Sequence, residues 1–247
     1  MPHPGGGAAR IGPSVIKILT AASLSPTGER LREIFLRLLE RFGPRFWWPA
    51  ETPFEVCLGA ILTQNTAWTN VEKAISALKG ACVLTVEGIE ATPAGRLAEL
   101  IRPSGYYNVK SLRIKGFVEW LRERHNGSLD VMFNGEWREL RKELLKVAGI
   151  GPETCDSILL YAGKKPTFVV DAYTRRLFHR LGLLAAVAGY DETRLMFMEH
   201  LPGDALLFNE YHALIVEECK TFCRTRPLCD RCPLALQCST FHSGCNP

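Results

Sequence analysis

Four cysteines near the C-terminal end, Cys223, Cys229, Cys232 and Cys238, stand at the spacing C-x5-C-x2-C-x5-C, with Arg224, Arg226 and Arg231 between them. Thiolates gathered by loops this short suit an iron–sulfur cluster or a tetrahedral zinc, and four cysteine ligands leave no coordination position open for catalysis. The spacing therefore predicts a structural metal site, with the chemistry elsewhere. Cys219 and Cys245 fall outside the regular spacing, although either has the chemistry to substitute as a ligand.

A second candidate is Val147-Ala148-Gly149-Ile150-Gly151-Pro152, which separates two amphipathic segments. Two glycines around an isoleucine make a tight hairpin, and Pro152 suits the first turn of the helix that follows. Outward amides and a helix N-terminus together can hold a phosphate without reading base sequence. The same turn also fits an ordinary corner between helices. Glu153 at the next position favours a helix N-terminus through the macrodipole. Eighteen residues beyond it, Asp171 follows Thr167-Phe168-Val169-Val170. An aspartate there reads as an N-cap, and equally as a carboxylate placed for chemistry.

These residues must be positioned by helices. Apolar residues recur at helical spacing and alternating runs are scarce, so the sequence predicts an all-α protein. Helices are expected over 29–42, 53–62, 68–79, 94–101, 108–124, 136–147, 153–162, 172–181, 192–201 and 204–219. Residues 1–26 open Gly- and Pro-rich and are expected to form a flexible tail. The 247 residues are 47% hydrophobic, enough for one large core or two smaller ones. The net charge of +4 does not by itself establish a nucleic-acid partner. No apolar run is long enough to span a membrane, and nine cysteines without an export signal argue for a reducing compartment. Cys57, Cys82 and Cys155 read as small core residues.

Taken together, the hairpin, the Gly/Pro-rich stretch after it, Asp171 and the four-cysteine loop resemble the endonuclease III superfamily of helix-hairpin-helix DNA glycosylases. Three segments extend the resemblance from about residue 42 to 238: Leu62-Thr63-Gln64-Asn65-Thr66, Gly105-Tyr106-Tyr107-Asn108-Val109-Lys110, and Val170-Asp171 with Arg175 and Arg176. The resemblance implies that Gln64 fills the gap left by an extruded base and that Tyr106 wedges into the opposite strand. It implies that Asp171 stabilises the sugar cation or activates water, and that Gly149, Ile150 and Gly151 hold DNA phosphate. It also implies a [4Fe–4S] cluster on Cys223, Cys229, Cys232 and Cys238, with the intervening arginines on the DNA backbone; zinc stays the alternative.

Two departures bear on activity. Bifunctional members have a lysine where this chain has Glu153, and a carboxylate cannot form a Schiff base. Phe46-Trp47-Trp48-Pro49 and Trp68 look like the 3-methyladenine branch, whose cationic purines stack on aromatic faces; a core role for these tryptophans stays open. The sequence thus leads to a monofunctional glycosylase for damaged bases in duplex DNA, with alkylated purines as the expected substrate. The alternatives are an endonuclease III for oxidised pyrimidines with weak lyase activity and a non-catalytic lesion binder. We expect two helical domains, 52–165 and 27–51 with 166–247, with the DNA cleft between them. The expected protein is a cytoplasmic monomer without membrane contact.

Overall fold

The computed structural model describes residues 8–45, 47–48 and 50–244. Residues 1–7, Phe46, Pro49 and Cys245 lie outside the described residues. Among those described, every regular element is helical, so the protein is all-α. In chain order these are α1 (Ala8–Ala21), α2 (Pro26–Phe42), α3 (Pro53–Leu62), α4 (Trp68–Gly80), α5 (Val86–Ala91), α6 (Ala94–Leu100) and α7 (Tyr107–His125). They continue as α8 (Leu129–Phe133), α9 (Trp137–Leu144), α10 (Pro152–Ser157), α11 (Ala172–Arg180), α12 (Tyr190–His200), α13 (Ala205–Thr221) and α14 (Ser239–His242). The chain forms two compact units, Met1–Trp47 with Pro166–Pro247, and Trp48–Lys165.

In the first of these units, α2 shows how local sequence sets an element. Ser25 caps it by accepting from the Gly28 amide at 3.2 Å, Pro26 opens it and Gly43 at φ +67° ends it. Leu31, Ile34, Phe35 and Leu38 make one stripe at helical spacing, and all four are fully buried. They meet an aromatic core in which Phe168 stacks on Phe197 and Phe178, Phe208 and Tyr211 pack edge-on. Tyr211 keeps its hydroxyl satisfied by donating to the Leu31 carbonyl at 2.8 Å.

The unit Trp48–Lys165 is built around α3. Thr52 caps it at the Glu55 amide, and Phe54 to Leu62 are buried all round, as a central helix requires. α10 runs on as a π-helical turn over Ile158–Ala162, whose residues are also buried, and this turn packs on α3. Across the hairpin, Arg141 of α9 forms a bidentate pair with Asp156 of α10, Nε to Oδ1 at 2.9 Å and Nη2 to Oδ2 at 3.0 Å. Asp156 is fully buried, so this pair ties the two helices together with little solvent screening.

Several expectations need correction. The expected tail contains α1, whose Val15 and Leu19, four residues apart, are buried on one face. Cys82 is not a core residue: it is exposed at φ +56° just after α4, where the chain turns away. The helix expected over 136–147 ends at Leu144, because Val147 and Ile150 amides bond three residues back in successive turns. The helices α5 and α8 were not anticipated, being only six and five residues long.

Arg141→Met should destabilise the protein by about 3 kcal/mol, since it leaves the Asp156 carboxylate buried without its partner. Denaturant unfolding measures this; a loss below about 1 kcal/mol would show that the pair does not hold the hairpin.

Candidate active site

Within Trp48–Lys165, the hairpin and Gln64 form one network. Gly149 has φ +84°, a conformation that favours glycine, and a Cβ there would collide with the side chain of Arg113. Gly149 and Gly151 are exposed while Ile150 is buried, so the isoleucine anchors the turn and the glycines face outward. Gln64, two residues past the end of α3, donates to the Gly149 carbonyl at 2.9 Å and to Thr154 Oγ1 at 2.8 Å. Its own carbonyl accepts from the Arg113 guanidinium. Glu153 is exposed in the first turn of α10.

Tyr106 stands at the N-cap position of α7 with φ +47°, and the residue is 71% exposed. The aromatic candidates separate. Trp48 meets Trp68 edge-on at 4.8 Å and Tyr161 at 5.0 Å. The Trp68 indole donates to Glu72 at 2.9 Å, and Gly59 lies under Trp48, where a Cβ would approach the indole to 3.2 Å. Trp47 belongs to the other unit, where Lys220 Nζ stands 5.8 Å from its ring.

In the unit that carries Asp171, buried Phe168, Val169 and Val170 lead up to it, and it caps α11. Oδ1 accepts from the Thr174 amide at 2.7 Å and the Thr174 hydroxyl at 2.9 Å. Oδ2 faces Nε2 of buried His212 at 3.6 Å. Burial raises the Asp171 pKa, but His212 and the two Thr174 donors outweigh it, and the carboxyl lies below its ordinary range.

Cys223, Cys229, Cys232 and Cys238 line one pocket whose other walls include Leu177, Leu181, Phe222 and Leu234. Among the described residues, no three such side chains already stand as a ligand set for a metal. Arg180 Nη1 lies 3.3 Å from Cys223 Sγ, and Arg176 donates to the Cys223 carbonyl at 2.9 Å. A hydrogen bond from Cys219, with Arg180 adding its charge against burial, brings the Cys223 thiol down to about 6. Arg224, Arg226 and Arg231 are all exposed.

The HhH-GPD superfamily of base excision DNA repair proteins matches residues 58–202. A Methanocaldococcus jannaschii protein, MJ1434, whose name assigns it provisionally to the DNA repair glycosylases, is 47% identical over 211 residues, 85% of this chain and 96% of that one. The chain belongs to the HhH-GPD superfamily. Endonuclease III of Thermotoga maritima is 30% identical over 190 residues, covering 76% of this chain and 84% of its own length. The solved Helicobacter pylori 3-methyladenine DNA glycosylase MagIII, bound to 1,N6-ethenoadenine, is 30% identical with a TM-score of 0.67, covering 83% of this chain and 97% of that one. This HhH-GPD protein is thus a DNA-binding glycosylase of base excision repair, hydrolysing N-glycosyl bonds.

His212, Arg113, Thr154 and Tyr161 escaped the sequence analysis. Tyr161 alone left a signal, an aromatic at the end of the apolar run Ile158-Leu159-Leu160. The others stand at sequence separations that no local pattern spans.

A carboxyl with a lowered folded-state pKa contributes stability above its unfolded-state pKa and loses it as pH falls through the folded value. The stability gap between the natural protein and Asp171→Asn should therefore narrow below about pH 4. Urea unfolding near neutral pH and again on the acid side checks this; a gap independent of pH would show that the carboxylate is not the favoured form.

Proposed function

We propose that this protein is a monofunctional DNA glycosylase for alkylated purines, using water rather than an amine. The observation that carries the reading is Glu153, exposed in the first turn of α10 at the position where bifunctional relatives have their lysine. A carboxylate cannot attack C1′ to give a Schiff base, so the abasic product would be released without strand cleavage.

On this reading Asp171 is the catalytic residue. Its Oδ1 is held by Thr174 while Oδ2 is set for the positive charge that develops on the sugar or for the attacking water. Burial strengthens that interaction by excluding competing solvent, and the lowered pKa keeps the group ionised at neutral pH. Gln64 fills the space of the extruded base, Tyr106 enters the stack, and Gly149, Ile150 and Gly151 take a phosphate through the backbone. Trp48 and Trp68 supply aromatic faces for a cationic base, worth roughly 0.5–2 kcal/mol per contact. An alkylated purine also has a weakened glycosidic bond and needs little leaving-group activation. The likeness to MagIII supports this substrate class. Trp47 belongs to the same sequence motif and is assigned to base contact on that ground.

Cys223, Cys229, Cys232 and Cys238 fit a [4Fe–4S] cluster: an all-thiol donor set lines one pocket with apolar walls, and Arg180 offsets thiolate charge. Such a cluster, once bound, supplies structure by closing the loop that presents Arg224, Arg226 and Arg231 to the DNA backbone. The working partner is duplex DNA with a damaged base, bound by a single copy of the chain.

Duplexes carrying one alkylated purine, oxidised pyrimidine or mismatch test the assignment. Cleavage of the alkylated-purine duplex only after alkali is expected, and Asp171→Asn should lower excision by about 100-fold or more. Strand cleavage without alkali, with a borohydride-trapped adduct, would overturn the Glu153 argument. Preference for oxidised pyrimidines would replace the substrate class, full excision by Asp171→Asn would remove Asp171 from the chemistry, and lesion binding without excision, unchanged in Asp171→Asn, would favour a lesion binder. Anaerobically purified protein should absorb broadly in the visible and carry about four iron per chain; a colourless protein with one zinc would replace the cluster.

A further inference from the structure

Lys110 is 1% exposed, an unusual place for an ammonium. Its Nζ donates to the Leu62 carbonyl at 2.8 Å and to the Ser104 carbonyl at 2.7 Å. Leu62 ends α3 and stands two residues before Gln64; Ser104 ends a 3-10 turn and stands two residues before Tyr106. Three residues along α7, Arg113 donates to Gln64 and lies over Gly149 of the hairpin. Residues three apart on a helix share a face.

We infer that α7 is a brace, in which Lys110 and Arg113 are positioning residues that hold Tyr106 and Gln64 at a set separation for base extrusion. The inference rests on the reading above that both residues enter the DNA.

Both insertion segments carry backbone that needs holding. Tyr106 at φ +47° and Asn65 at φ +52° occupy the left-handed region, which bulky residues avoid unless the surroundings over-determine it. The carbonyls of Leu62 and Ser104 lie at helix ends, where no intrahelical amide reaches them. A single ammonium satisfies both and so links the two segments directly. Burial, with the Arg113 charge beside it, pushes Lys110 down to about 8, leaving it charged at neutral pH. Its neutral form would keep two N–H donors for the two carbonyls, so the brace depends on hydrogen bonds and reach rather than on charge. Arg113 completes the second arm. Its guanidinium fixes the Gln64 amide so that Nε2 points at Gly149 and Thr154, coupling the residue that fills the gap to the turn assigned to phosphate.

A residue that merely stabilises α3 would lower activity whatever stands at position 106. One that acts by holding Tyr106 would have nothing left to lose once Tyr106 is gone. Two mutant cycles separate these: Lys110→Met with Tyr106→Ala, and Arg113→Met with Gln64→Ala, each read as single-turnover excision from a duplex with one 1,N6-ethenoadenine. Lys110→Met and Arg113→Met are each expected to slow excision about 10- to 100-fold in the natural background and under about threefold beside the partner substitution. Effects that multiply independently, or Lys110→Met excising at the natural rate, would overturn the brace. Should Lys110→Met fail to fold by thermal melting, the Arg113 cycle decides.

Hydrogen exchange of the free protein reads the brace without any excision. Amides of 63–67 and 104–108 should lose protection together in Lys110→Met, while α12 keeps its own; unchanged protection would count against it. Absence of excision by the natural protein on every duplex would sink the proposed function and leave this exchange result as the judge of the brace.

Discussion

An α-helix leaves amides and carbonyls without partners only at its ends, and this helical chain places its candidate chemistry there. Asp171 caps α11, Gly151 caps α10, Tyr106 caps α7, and Gln64 follows the last turn of α3. The interior of α3 is committed to packing, as its continuous burial shows. What remains for function is the set of termini, together with the side chains that satisfy them. Gln64, Lys110 and Thr174 are such side chains or partners, each bonded to a backbone group or a capping residue at a terminus.

On the proposed function, Asp171 serves two demands. Its Oδ1 does the work of a cap, accepting twice from Thr174, and its Oδ2 faces His212. On the proposed reading, capping and catalysis draw on different oxygens of the same carboxylate. Burial alone would favour the protonated form; the donors reverse that balance, and the price of desolvation is offset by hydrogen bonds already in place before any substrate arrives.

The sequence made the local features legible and left the long-range ones dark. Helix type followed from periodicity, and α3 was expected over 53–62, the bounds it takes. The hairpin was readable because Gly149 and Gly151 punctuate it, and the cysteine loop because thiols at short spacing have few other uses. By contrast, Lys110 reaches Leu62 across 48 residues, Arg113 reaches Gln64 across 49, and Arg30 reaches the Leu181 carbonyl across 151. Nothing in the local composition announces such partners. The helix α1 was missed because the glycines and prolines before it outweighed the pair Val15 and Leu19, whose burial comes from packing on α13. Cys82 was misread because an apolar neighbourhood in sequence does not reveal a left-handed residue after a helix end.

The proposed substrate and the proposed mechanism constrain each other. On the proposed mechanism, with a carboxylate at position 153, the nucleophile is water, which is weaker than an amine and gains most when the leaving base departs readily. A cationic alkylated purine departs readily, and the same positive charge is what indole faces attract. Trp48 is held between Trp68 and Tyr161 and backed by Gly59, so its orientation is set by packing before any base arrives. A preset aromatic face costs little side-chain entropy on binding. Glu153, Asp171 and the Trp48 group thus favour one combination, a good leaving group recognised by stacking and displaced by water beside a buried carboxylate. An oxidised pyrimidine, neutral and more firmly attached, would draw less from each of these three features.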